Sequence, residues 1–85
     1  MIQKTYSIGD ASRITGVSQK KLRSWEGKSI PEPERIICGD RAYRRYTHEQ
    51  IDLIARIKNY QDQGFTLSAA AQKAREEILK TGGNQ

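Results

Sequence analysis

Ser7-Ile8-Gly9-Asp10-Ala11-Ser12-Arg13-Ile14-Thr15-Gly16-Val17-Ser18-Gln19-Lys20-Lys21-Leu22-Arg23-Ser24-Trp25-Glu26 is the stretch whose reading decides the fold. Ser7 and Asp10 approximate a capping box, in which a hydroxyl and a carboxylate satisfy the free N–H groups of a helix start. Ile8, Ala11 and Ile14 follow every three residues and mark one buried face. Gly16 stops this helix, and Ser18 is a good N-cap for a second one running to about Glu26. At about 100° per residue, Leu22 and Trp25 point one way in that second helix. Lys20, Arg23 and Ser24 point the other way, with Gln19 and Lys21 on the flanks. Two short helices joined by a tight turn containing Gly, the second basic on its outer side, make a helix-turn-helix.

Beyond this pair, Pro31 and Pro33 forbid helix and force an extended path. Ile36-Ile37-Cys38 and Ala42-Tyr43-Arg44 then flank Gly39-Asp40, which predicts a β-hairpin closed by a type II′ turn. That hairpin carries Arg35, Arg41, Arg44 and Arg45 and would form a wing. Thr47 and Gln50 make a second capping-box pair. Ile51, Ile54 and Ile57 continue at helical spacing, with Leu53 and Tyr60 widening the stripe, and Gly64 is the expected terminator. Thr66 can cap a fourth helix whose inward side uses Leu67, Ala70, Ala71, Ala74 and Ile78. The small alanines imply a close helix–helix approach. The fold expected is mainly α with a small β-hairpin wing, a winged helix-turn-helix of about four helices. It should occupy residues 1–80 as one domain, with 81–85 a flexible tail.

Composition narrows the function. A chain of 85 residues buries only about 60% of its unfolded surface, so its core must be lean. No apolar run approaches the roughly 20 residues of a membrane span, and Met1 to Tyr6 lacks a signal-peptide pattern. The single cysteine, Cys38, cannot form an internal disulfide, which suits a reducing cytoplasm. The net charge is +5, and all of the excess lies between Arg13 and Arg45, where nine basic residues face four acidic ones. This asymmetry suggests a polyanion partner. Charge alone leaves open a solvated basic face with no partner.

The blocks Tyr6-Ser7-Ile8-Gly9-Asp10-Ala11, Thr15-Gly16-Val17-Ser18 and Leu22-Arg23-Ser24-Trp25-Glu26 resemble the MerR family of bacterial transcription regulators. So do Ala42-Tyr43-Arg44-Arg45-Tyr46-Thr47 after the hairpin and Asp62-Gln63-Gly64-Phe65-Thr66-Leu67 between the last two helices. They come in the family's order and spacing. The resemblance implies a winged helix-turn-helix that binds double-stranded DNA, in the cytoplasm and associated with the nucleoid. Ser24 stands where the family often has an aromatic; it can hydrogen-bond phosphate but brings less surface. Family members usually continue into a helix that pairs two subunits and then an effector- or metal-binding region. The sequence ends before either, so the expectation covers DNA binding and not sensing, with no cofactor and no small-molecule effector.

In a helix-turn-helix the early residues of the second helix face base edges, while phosphate contacts supply most of the affinity. That puts Ser18, Gln19 and Lys20 at the DNA, the last two at base edges, and Lys21 at the backbone. Gln suits adenine and Lys suits guanine. Arg23, which matches the family's arginine, should grip phosphate, with a salt bridge to Glu26 as the structural alternative. In the wing, Tyr43 and Arg44 match the family block and should meet backbone or minor groove. Arg35, Arg41 and Arg45 add diffuse attraction, and Tyr46 packs under the wing or joins Arg44. Trp25 belongs to the core because it shares a face with Leu22. His48 has no partner at ligand spacing, and Cys38 is by default a small strand residue. No nucleophile–base set, paired carboxylates or phosphate-cradling Gly loop is present, so an enzyme is not expected.

The leading expectation is sequence-specific DNA binding in transcription regulation. Two alternatives share the scaffold: an excisionase-like or chromosome-organising architectural factor, and a protein-interaction module docking through its third and fourth helices. One copy covers only a half-site, so a homodimer, or pairing of copies on DNA, is the expected assembly.

Overall fold

The computed structural model describes residues 4–82, with side chains described from residue 4 to residue 80. Strand β1 (Thr5–Tyr6) leads into α1 (Ile8–Thr15) and α2 (Gln19–Trp25). The hairpin β2 (Glu34–Cys38) and β3 (Arg41–Thr47) follows, and then α3 (His48–Asp62) and α4 (Leu67–Gly82). This is a winged helix-turn-helix, mainly helical. The tail expected at 81–85 is still helical at Gly82, and positions 83–85 lie outside the described residues.

Local chemistry sets each boundary. Ser7 Oγ accepts from Asp10 N at 3.1 Å and starts α1. Only half of the expected capping box forms, because the Asp10 carboxylate turns to Arg13 Nη2 at 2.7 Å instead. The guanidinium holds that carboxyl below its ordinary value. Gly16 ends α1 at φ 78°, a left-handed conformation that costs glycine nothing. A Cβ there would also come within 3.1 Å of the Lys58 side chain crossing from α3. Ser18 caps α2 by accepting from Lys21 N at 3.2 Å, and Thr47 and Gln50 form a full capping box on α3.

The end of α3 is a Schellman motif. Phe65 N donates to Tyr60 O at 3.1 Å and Gly64 N to Gln61 O at 2.9 Å. The Phe65 ring then meets Tyr60 edge-on at 5.5 Å, the apolar contact that such a motif favours.

The core is built where the periodicity puts it, with one exception. Leu22, Trp25, Tyr46, Ile54, Ile57, Ala70 and Ala74 are all buried. In α1, Ile14 is 50% exposed and Thr15 is buried in its place. The helical repeat is nearer four residues than three after Ala11, so position 15 falls under the helix and 14 swings out. Thr15 tolerates burial because its hydroxyl donates to Ala11 O at 2.7 Å and accepts from Val17 N at 3.2 Å. The alanines of α4 do let it lie close against α3. Glu77 then ties the two helices by accepting from Arg56 Nη1 at 2.7 Å and from the Tyr60 hydroxyl.

The hairpin register runs Glu34↔Arg45, Arg35↔Arg44, Ile36↔Tyr43, Ile37↔Ala42 and Cys38↔Arg41. Gly39 takes φ 62° while Asp40 does not go positive, which fits the type II′ turn. A third strand was not expected from the sequence. Thr5 pairs with Thr47 and Tyr6 with Tyr46, giving the sheet order β1-β3-β2. Two residues are too few to show an alternating pattern, so only the partner strand reveals β1.

Candidate nucleic-acid interface

Helix α2 divides cleanly. Leu22 and Trp25 are 0% and 3% exposed, whereas Gln19, Lys20, Lys21, Arg23 and Ser24 are all exposed. Burying the apolar pair fixes the roll of the helix, so the polar side faces solvent without any choice of its own. On that side Arg23 Nη2 donates to Gln19 Oε1 at 3.4 Å, one turn back. Gln19 also lies against the start of α1, its Nε2 being 3.7 Å from where a Cβ on Gly9 would sit. Ser24 Oγ donates to Lys21 O at 2.7 Å. Its proton is therefore turned into the helix.

The wing's arginines are arranged differently. Side chains of cross-strand partners share a face, which puts Arg35, Arg44, Ile37 and Ala42 together and Glu34, Arg45, Ile36, Tyr43, Cys38 and Arg41 opposite. Strand β3 continues to Thr47, so Arg44 and Tyr46 share a side. Both reach Glu26, at the end of α2. Arg44 Nε donates to Glu26 Oε2 at 2.6 Å, and the buried Tyr46 hydroxyl donates to the same oxygen at 2.7 Å. Arg35 Nη2 stands 3.7 Å from Glu26 Oε1.

The Glu26 side chain is only 6% exposed. Burial and the hydrogen bond to Glu26 push the Tyr46 hydroxyl well above its ordinary pKa. Arg45, on the other face, donates to Thr5 Oγ1 and Thr5 O, both at 3.0 Å. Tyr43 and Arg41 are left exposed.

Two of the site expectations are thereby reorganised. The alternative partner for Arg23 does not materialise, because Glu26 is taken up by Arg44, Tyr46 and Arg35. Tyr43 and Arg44, both expected at backbone or minor groove, fall on opposite faces of the wing. The bonds from Glu26 to the wing were not expected. The signal was available, since Glu26 follows Leu22 by four residues and so shares the apolar side of α2. An acid at such a position has to find cations. Among the described residues, no three His, Cys, Asp or Glu side chains gather as a metal site would require, and His48 and Cys38 are exposed. No helix among the described residues is long and apolar enough to cross a membrane.

A family description, MerR HTH family regulatory protein, matches residues 6–77. The chain belongs to the MerR family. The match spans both short helices, the wing and most of the α3–α4 pair, the elements whose geometry is given above. Among similar proteins is the HTH-type transcriptional repressor CarH of Myxococcus xanthus, 32% identical over 84% of this chain and 23% of that protein. The mercuric resistance operon regulatory protein of Bacillus cereus is 36% identical over 74% of this chain and 46% of that protein. The HTH-type transcriptional regulator CueR of Yersinia pestis is 31% identical over 72% and 42% respectively. This MerR-type chain therefore spans from about a quarter to just under half the length of these relatives, which are named as transcriptional repressors or regulators.

Proposed function

We propose that this MerR-type domain binds double-stranded DNA sequence-specifically and regulates transcription in the bacterial cytoplasm. Helix α2 lies in the major groove and the wing lies on the neighbouring backbone. The observation that carries the reading is the polar side of α2, where Gln19, Lys20, Lys21 and Arg23 stand exposed on a helix locked from behind by Leu22 and Trp25. Gln19 and Lys20, in the first turn, offer an adenine-reading amide and a guanine-reading ammonium. Arg23 and Lys21 supply phosphate contact. Tyr43 and Arg41, exposed on one face of the wing, meet the backbone, while Arg35, Arg44 and Arg45 add positive potential from places set by Glu26 and Thr5. One domain covers one half-site, so two copies on adjacent half-sites make the working complex.

Selection of duplexes from a random pool, followed by titration at several salt concentrations, tests this. Binding should be tighter to selected than to random duplex, and log affinity should fall linearly with log salt. Equal binding to both pools would remove the sequence-specific part, and salt-independent binding would remove the phosphate contacts.

A further inference from the structure

An apolar groove of about 280 Å³ lies between the start of α3 and the end of α4, and none of its lining residues belongs to α2 or the wing. The buried Leu53 lines it from α3 and the half-buried Ile78 from α4, while Pro31 closes it from the segment that leads into β2. Leu79 lines it too and is 73% exposed. Glu49 and Gln50 bound the groove on the first turn of α3, and Arg75 bounds it on α4, one turn before Leu79. Arg75 Nη1 donates to Ser29 O at 3.3 Å, which ties α4 to the segment that supplies Pro31. A lone surface leucine needs no explanation, but Leu79 opens onto a concave apolar surface that the core leaves uncovered.

Resting on the reading that two copies occupy adjacent half-sites on a duplex, we propose that this groove is where the copies meet, Leu79 of each entering the groove of the other across a two-fold axis. Charge favours a second copy as the occupant. From His48 to Gly82 the chain holds five basic residues against five acidic ones, so this side is neutral, while the whole excess of +5 lies between Arg13 and Arg45. A second copy is therefore not repelled here, and a duplex, which is drawn to positive potential, is not attracted. A two-fold contact sets a patch against itself. A rim with an acid on α3, Glu49, and a base on α4, Arg75, can then meet its opposite charges across the axis. The residues that follow Gly82, Gly83-Asn84-Gln85, bring no apolar side chain to fill the groove. Seven residues line it, against the roughly 20–30 a side of a stable interface. The contact is thus too small to hold a dimer in free solution and acts once a duplex keeps both copies at high local concentration.

Titration of the full chain on duplexes carrying one selected half-site, two inverted half-sites or two direct repeats tests the pairing. Free wild type should sediment as a monomer, and on inverted half-sites the second copy should bind about tenfold more tightly than the first. Shifting one half-site by about half a helical turn should remove that gain. Leu79→Ser should remove it too, with the melting temperature and the affinity for a single half-site unchanged, and Leu79→Met should restore it. In a Cys38→Ser background, Leu79→Cys should be linked copy to copy by a short bismaleimide on inverted half-sites and not in free solution. Cooperativity that survives Leu79→Ser, or that direct repeats support equally, would overturn the groove as the contact and leave DNA binding standing. So would independent binding of wild type to the two half-sites, which would leave the groove to a partner of another kind. Failure of wild type to prefer any duplex would overturn the reading beneath it as well, and the single half-site measured in parallel identifies that outcome.

Discussion

The two basic regions of this domain, α2 and the wing, hold their cations in opposite ways. In α2 the charges are free of acids. Arg23 touches only the neutral Gln19 among the hydrogen bonds of its side chain, and the helix is held by the burial of Leu22 and Trp25 on its other side. In the wing, Arg44 and Arg35 reach the buried Glu26, and Arg45 is bonded to Thr5. A cation that must meet a specific base gains from being unpaired, since it has no protein partner to leave. A cation that holds a hairpin in place gains from being paired. One region is poised for a ligand and the other is built into the frame, and basic composition alone does not distinguish them.

The largest expected effect comes from the joint between the regions. Glu26→Ala strands Arg44, leaves the Tyr46 hydroxyl buried without its acceptor, and frees the wing from α2. Breaking a buried ion pair from one side costs about 3–5 kcal/mol, and the partial exposure of Arg44 puts this case at about 3 kcal/mol. In a domain this size each kcal/mol lowers Tm by roughly 4–8 °C, so thermal unfolding followed by circular dichroism should show a drop above about 12 °C. A much smaller drop would mean that the wing stays seated without Glu26, and the contrast between a framed wing and a free helix would fail.

Arg23→Ala is the matching change in the other region and should separate the two readouts. With no acid partner and an exposed side chain, its loss should leave Tm unchanged. Affinity for a selected duplex should fall about tenfold, and the salt slope should lessen by about one phosphate contact. A loss of Tm would show that Arg23 serves packing and would erase the distinction from Arg44.

These two residues also show how far the sequence could be read. The order of elements was legible because each boundary has a local cause: Ser18 and Thr47 as caps, Gly16 and Gly64 as stops, Gly39-Asp40 as the turn. The polar side of α2 followed from the positions of Leu22 and Trp25. What was hidden depended on contacts distant in sequence. The bonds from Arg44 and Tyr46 to Glu26 bridge 18 and 20 residues, and those from Arg45 to Thr5 bridge 40. No periodicity encodes such pairs, so neither the bond from Arg44 to Glu26 nor the strand β1 was expected. Ile14 was misplaced for a different reason. A spacing of three was extended past the point where the helical repeat of 3.6 residues turns the next position away.

Tyr46→Phe examines the joint more gently. The ring remains in the core and the Arg44–Glu26 pair persists, so the loss is one hydrogen bond to a carboxylate, about 1.5 kcal/mol. Denaturant melts should register it as a lower midpoint at unchanged slope. Selection of duplexes should yield the same α2-dependent sequences as wild type. A changed preference would mean that the seating of the wing alters what α2 reads, and the two regions would be one device.

Gln19→Ala should have the smallest effect on affinity and the most informative one on sequence. Its amide oxygen can accept from Arg23 and still accept from an adenine N6, since a carbonyl has two lone pairs, while its NH2 donates to N7. Removing it discards discrimination at one base pair, about 1–3 kcal/mol between right and wrong bases, but little of the phosphate attraction. The expected result is a selected motif that loses its preference at a single position while overall binding changes a few-fold. Because Arg23 also loses the acceptor that orients it, the double variant Gln19→Ala/Arg23→Ala should cost less than the two single losses combined. Strict additivity in that cycle would mean that the 3.4 Å contact does not persist on DNA, leaving α2 with two independent contacts in place of a linked pair.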